Sequence, residues 1–248
     1  MSGNSFKVFA IAGLVASLLS LAGCQQFFTA SLAKPLSRPP VTLTSITADQ
    51  AAALVAANPN QALAASAVGA LASLVTSNAA SASVVSNAAQ VAVVATGLDT
   101  ALTQAIASVD VNALISNPSS LTSTDIATLS NLLTTAAGNV NSGTTTIFDA
   151  LATQASTASG AAALAASGTS AQTLVVAAAA IAINDATSQL TAGQTLADVI
   201  NGTVTYTPSA SVSATLTNLA SGANAIAAAS GSTNPLLSTL QGALNITF

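Results

Sequence analysis

The chain has 248 residues, enough for one large or two small domains, and only 4% of them are charged against roughly 25% in ordinary soluble domains. Hydrophobic residues make up 51%, which excludes disorder driven by high charge and low hydrophobicity. The three cations, Lys7, Lys34 and Arg38, all precede the seven aspartates, and histidine and glutamate are absent, so a nucleic-acid partner, which demands clustered Lys or Arg, is not expected.

Residues 1–23 open with one cation, Lys7, followed from Val8 to Leu21 by apolar and small residues, the layout of a secretory signal. The run is shorter than the roughly 20 apolar residues that a spanning helix needs. It ends in Leu21-Ala22-Gly23-Cys24, and Cys24 is the only cysteine. These four residues, with the run before them, resemble the lipobox of bacterial lipoproteins. The resemblance implies cleavage before Cys24, diacylation of its thiol and acylation of the new amino terminus. The expected location is then the cell envelope, with the membrane itself as a partner through the acylated Cys24. Two or three acyl chains anchor stably where a single chain binds only marginally. Gln25 stands where an aspartate would retain some lipoproteins in the inner membrane, so the outer membrane is the expected site, with the body facing the periplasm or the cell surface. The resemblance covers about a tenth of the chain and carries nothing about the remainder.

Residues 24–46 read as the lipidated cysteine and an extended tether, because Pro35, Pro39 and Pro40 fix their own φ and push their predecessors out of the helical region. Lys34 and Arg38 read there as residues of a solvated tether, with contact to anionic head groups as the functional alternative. With the sole thiol acylated, no disulfide or thiolate metal site is left.

Residues 47–248 read as an Ala-rich helical domain, since alanine loses no side-chain entropy in a helix. Thr47 and Gln50 form a capping box with Ile46 in the staple position, and Thr191 and Gln194 repeat the spacing. Apolar stripes at helical period run through Leu63, Ala67, Leu71 and Leu74, through Leu98, Leu102, Ile106 and Val109, through Ile126, Leu129 and Leu133, and through Val212, Leu216, Leu219, Ala223 and Ile226. Asn58-Pro59, Asn117-Pro118 and Asn234-Pro235 break the pattern, and Gly97, Gly138, Gly168 and Gly231 suit left-handed positions just past helix ends. The fold class is therefore all-α, with eight to eleven helices in a multi-helix bundle or an irregular array of antiparallel helical hairpins. The ten apolar residues 174–183 predict a helix buried on all sides, or the wall of an apolar ligand cavity. Ser159 to Leu164 resembles Ser221 to Ile226, which suggests a duplicated unit. Thr203 to Thr207 alternates and reads as an extended loop or hairpin arm. Leu244, Ile246 and Phe248 alternate too, but one strand does not make a barrel.

The chemical inventory is short. Transition-metal sites draw on His and Cys, which are missing or committed, and Asp99 and Asp110 are isolated along the sequence. Ser31 and Lys34, the one nucleophile and amine pair, lie in the tether. Two aspartates would serve as acid and base only if folding brought them to about 5–9 Å. Asp49, Asp125 and Asp149 read instead as residues near helix starts, favouring the positive helix end. No phosphate-cradling glycine pattern occurs. No catalytic, cofactor-binding or metal residue is assigned, and Cys24 is the one site, a lipidation site. The expected function is a membrane-anchored, non-catalytic helical scaffold or partner-binding adaptor whose Ser, Thr and Asn surface meets another envelope protein. The alternative is a periplasmic carrier holding a lipid or other apolar ligand between helices.

Overall fold

Alanine and leucine at helical spacing, started by hydroxyl and amide caps, give an architecture in which all regular structure among the described residues is helical. The structure, a computed structural model, describes residues 46–77, 80–101, 104 and 122–231. Nine bounded helices lie among them: α1 (Ala48–Ala57), α2 (Gln61–Thr76), α3 (Ala82–Thr96), α4 (Ser123–Ala137), α5 (Ser142–Ala155), α6 (Ala158–Ala166), α7 (Ala171–Gln189), α8 (Leu196–Ile200) and α9 (Ala210–Ala229). A further helical stretch begins at Leu98.

Every one of these nine helices is preceded by Ser, Thr or Asn, as at Thr47, Asn60, Ser81 and Thr122. In seven of these caps, all but Thr195 and Ser209, the side-chain oxygen accepts a bond from an orphan N–H of the first turn, worth about 1 kcal/mol per cap. The Thr47 and Gln50 box is formed as expected, with Thr47 N–H donating to Gln50 Oε1 at 3.2 Å and Gln50 N–H to Thr47 Oγ1 at 3.2 Å.

Helix α7 is the axis of the core. All ten residues 174–183 are buried, and α9, α4, α3 and α5 pack around it. Helices α2 and α3 are antiparallel, since Gln61 at the start of one donates to the Ala95 carbonyl near the end of the other. Helices α7 and α9 also run in opposite directions: Leu174 lies against Gly222, and Asp185 near the far end of α7 meets Ser209 before α9 begins. The predicted stripes of α4 and α9 face inward, with Leu129, Leu133, Leu216, Leu219, Ala223 and Ile226 buried. In α2 the stripe is rotated slightly: Ala64, Ala67, Val68, Leu71 and Val75 are buried, and Leu63 and Leu74 flank them half-exposed.

Four expectations need correction. Thr191 and Gln194 do bond, Thr191 N–H donating to Gln194 Oε1 at 3.0 Å, but they close a turn, and α8 starts at Thr195, whose box partner is Asp198. Gly138 is right-handed, φ −60°, because its N–H continues the ladder to Thr134 O. Gly97, Gly168 and Gly231 are left-handed as read. Asp149 is not near a helix start: α5 begins after Asn141, leaving Asp149 in mid-helix. Thr203 to Thr207 forms the extended loop that was one of its two expected forms, without strand pairing. Ser159 to Leu164 opens α6 while Ser221 to Ile226 lies in the second half of α9, so the two resembling segments do not occupy equivalent places. Cys24, the signal and nearly all of the tether, Leu102, Ile106, Val109, Asp110, Asn117-Pro118, Asn234-Pro235 and the alternation ending at Phe248 lie outside the described residues.

Among the described residues no single helix is long and apolar enough to cross a membrane. Helices α6 and α7 pass such a test only as a pair, bent by 113°, and the apolar face of α7 is already spent on the core.

Candidate functional site

Beyond Arg38 the sequence holds no cation, so the helical body supplies none of its own to its aspartates. Each described aspartate accepts hydrogen bonds from neutral donors. Asp49 accepts from Asn87 at 2.6 Å, Asp99 from Gln172 at 2.8 Å and Asp149 from Thr215 at 3.2 Å. Asp125 and Asp198 close capping boxes with Thr122 and Thr195. Those two bonds from Thr195, first from its hydroxyl and then from its N–H, hold the Asp198 carboxyl below its ordinary 3.8. The contribution of this cap is therefore present above that pH and lost as the pH falls through the lowered value. No group of three or more potential metal-ligating side chains occurs among the described residues.

Sequence reasoning missed Asp185. It lies near the C-terminal end of α7, where the helix dipole disfavours a carboxylate. Donors gathered from elsewhere compensate: Tyr206 Oη–H at 2.8 Å, Gln189 Nε2 at 2.9 Å and Ser209 N–H at 3.2 Å. This latch pins the loop between α8 and α9 across the end of α7. Tyr206, the only tyrosine, is 7% exposed, and burial first, then its bond to Asp185 and the nearby charge, raise its phenol above the ordinary 10.0.

A raised folded-state value means that the stability contributed by the phenol is complete below about pH 10 and is lost as the pH climbs further. Absorbance at 295 nm should then stay flat past pH 10 and rise only together with loss of the helical circular dichroism signal. A phenolate signal growing near pH 10 while helicity is intact would contradict the latch.

Some of the other polar side chains line a trough beside the start of α2. An open cleft of about 320 Å³ lies between the start of α2 and the ends of α3 and α4, walled by Gln61, Thr96, Asp99 and Asn139. A second, of about 420 Å³, shares Gln61 and Asn139 and continues to Asn141. A third, of about 190 Å³, shares Asp99 and reaches Ser170 and Gln172 at the start of α7. The shared residues make the three clefts neighbours.

The trough's amides are held in defined orientations. Gln61 Nε2 donates to Ala95 O at 3.1 Å, and Asn139 Nδ2 donates to Thr96 O at 3.2 Å and Thr135 O at 3.1 Å. A backbone carbonyl accepts only, so the NH₂ group must face it, and the side-chain oxygen is the other end of the amide. Gln172 likewise turns Nε2 to Asp99. Of the aspartates expected at helix starts, Asp49 and Asp125 sit there, and neither they nor Asp149 lines this trough. The trough joins residues separated by up to 111 positions, from Gln61 to Gln172, and no local motif announces it.

No protein-family model, curated protein or solved structure matches the chain.

Proposed function

We propose that the protein is an envelope lipoprotein, anchored through acylated Cys24, whose helical body is a non-catalytic scaffold or adaptor that docks another envelope protein. The observation that carries the reading is Leu21-Ala22-Gly23-Cys24 at the end of an apolar run behind a single cation. The commitment of each described aspartate to a cap, a brace or the Tyr206 latch supports the non-catalytic part, since these are the only acids among those residues and histidine is absent. The alternative carrier reading expects an apolar chamber between helices. It draws less support, because the ten-residue apolar run of α7 is packed among four neighbouring helices.

Cell fractionation tests the anchor. The wild-type chain should sediment with membranes and resist high salt, whereas Cys24→Ala should lose this attachment. Wild-type protein recovered in the soluble fraction would contradict the proposal. Cross-linking in intact cells should then trap the wild-type chain with an envelope protein, and cross-linked products containing this chain alone would count against the adaptor.

A further inference from the structure

We infer that Asn201 is a self-modifying residue: the main-chain nitrogen of Gly202 displaces its side-chain amide with the help of Thr203, and water then leaves aspartate or isoaspartate in its place. The inference is independent of the anchor and adaptor reading. It concerns the loop between α8 and α9 that carries Tyr206 to Asp185.

Attack on an asparagine side chain needs a following peptide nitrogen that carries a proton and meets no side chain on its way. Asn201 is the one asparagine in the sequence followed by glycine, whereas Asn58, Asn117 and Asn234 precede prolines, which have no proton to lose. Asn201 and Gly202 are both exposed, and a methyl built on Gly202 would meet no atom, so the pair has room to turn. Gly202 stands at φ +76°, and glycine moves between such conformations at the least steric cost. Thr203 supplies the second feature. Its N–H donates to Asn201 Oδ1 at 2.9 Å, and its hydroxyl donates to the same oxygen. Negative charge gathers on that oxygen when the side-chain carbon is attacked, and donors already aimed at it hold the oxyanion more tightly than the neutral carbonyl.

One bond opposes the reaction: Gly202 N–H donates to Val199 O at 3.1 Å, in the last turn of α8. It must open first, and α8 is only five residues long. The nitrogen then gives its proton to hydroxide and bonds to Cγ of Asn201. The Cγ–Nδ2 bond breaks, and Nδ2 takes a proton from water and departs as ammonia. Water opens the resulting cyclic imide at either carbonyl. Opening on one side yields aspartate; opening on the other yields isoaspartate, whose main chain runs through Cβ and is one carbon longer. Nothing is oxidised or reduced, and water is the only co-reactant. Either product adds a carboxylate to a body without cations, and isoaspartate also resets the path of the loop ahead of Tyr206.

Incubating the full chain in neutral detergent at physiological temperature and mildly alkaline pH, followed by peptide mapping that separates aspartate from isoaspartate, tests this. Asn141 is the internal comparison. It is exposed, and its Oδ1 likewise accepts from a threonine N–H and hydroxyl, those of Thr144, but the residue that follows it is Ser142 and not glycine. Conversion at Asn201 is expected to run at least about tenfold faster than at Asn141, since only Gly202 offers a nitrogen without a neighbouring side chain. Thr203→Val keeps the N–H donor and loses the hydroxyl, so it should slow conversion by about threefold to tenfold, and Thr203→Ser should restore the wild-type rate. Circular dichroism before incubation checks that the variants keep the wild-type helicity, and the comparison with Asn141 needs no variant. Conversion at Asn201 no faster than at Asn141, conversion undiminished in Thr203→Val, or equal slowing in Thr203→Val and Thr203→Ser would overturn the inference. The measurement does not depend on acylation, so a failed anchor and a failed Asn201 site are told apart.

Discussion

Replacing Phe148 by alanine is expected to destabilise the protein by about 3–5 kcal/mol, the range for removing a fully buried aromatic side chain. Phe148 lies on α5 at 0% exposure, alongside Ile147, Leu151, Ala152 and Ala155, and it is the largest of the fully buried side chains among the described residues. The cost of such a truncation depends on how far the surroundings can collapse into the space. Here many of the surrounding core residues are alanine, whose single methyl has no rotamer with which to reach into a void. The loss should therefore fall toward the upper end. Urea unfolding of Phe148→Ala should show a lower midpoint with an unchanged slope; a loss below about 1 kcal/mol would mean that α5 does not face the core as described.

Glycines in this fold should respond to the same substitution with opposite signs. In a helix interior, Gly→Ala ordinarily gains about 1 kcal/mol. Gly69 on α2 has open space where a methyl would go, so Gly69→Ala should raise the melting temperature by a few degrees. At Gly222 on α9 a methyl would sit 2.6 Å from Ala155 Cβ and 2.8 Å from Leu174 Cδ2, where α9 crosses both α5 and α7. Overpacking of this kind costs about 1–3 kcal/mol and outweighs the propensity gain. Gly160, at the start of α6, is tighter still, because a methyl there would overlap the main-chain carbonyl oxygen of Gln154, which no rotamer change can move. Gly160→Ala should be the most damaging of the three. Thermal melts of the three variants check the order; a stabilising Gly222→Ala or Gly160→Ala would contradict the close approach of these helices.

These contacts follow from an economy imposed by composition. Without cations of its own, the body turns its carboxylates to amides, hydroxyls and main-chain N–H groups, as at Asp49, Asp99, Asp185 and Asp198. Alanine in turn lets helices pack with little side-chain volume between them, and the few large residues, Phe148, Leu71, Leu174 and Leu219 among them, fill what space is left.

Much of this was legible along the sequence because it is local. Threonine, serine and asparagine before apolar periods mark helix starts, and the ten apolar residues beginning at Leu174 announced a helix buried on all sides. The error at Asp149 has a definite cause: Gly143 and the β-branched Thr144, Thr145 and Thr146 are poor helix formers, and they hid the first turn of α5. The burial of Thr144, Ile147, Phe148 and Leu151 on one face overrides that propensity. Thr191 and Gln194 misled for the opposite reason, since the same cap chemistry can close a turn, and the box that nucleates α8 lies four residues on. The trough and the Asp185 latch were not legible at all. Gln61, Asp99, Asn139 and Gln172 meet only after α2, α3, α4 and α7 have packed, and Tyr206 reaches Asp185 only once the loop after α8 crosses α7.

The account of what the protein does turns on the covalent state of one sulfur atom. Mass spectrometry of the amino-terminal peptide from membrane-purified protein is predicted to show a chain that begins at Cys24 and carries diacylglycerol on Sγ, with a further acyl group on its α-amine. A mature terminus elsewhere, or Cys24 recovered as an unmodified thiol, would contradict it.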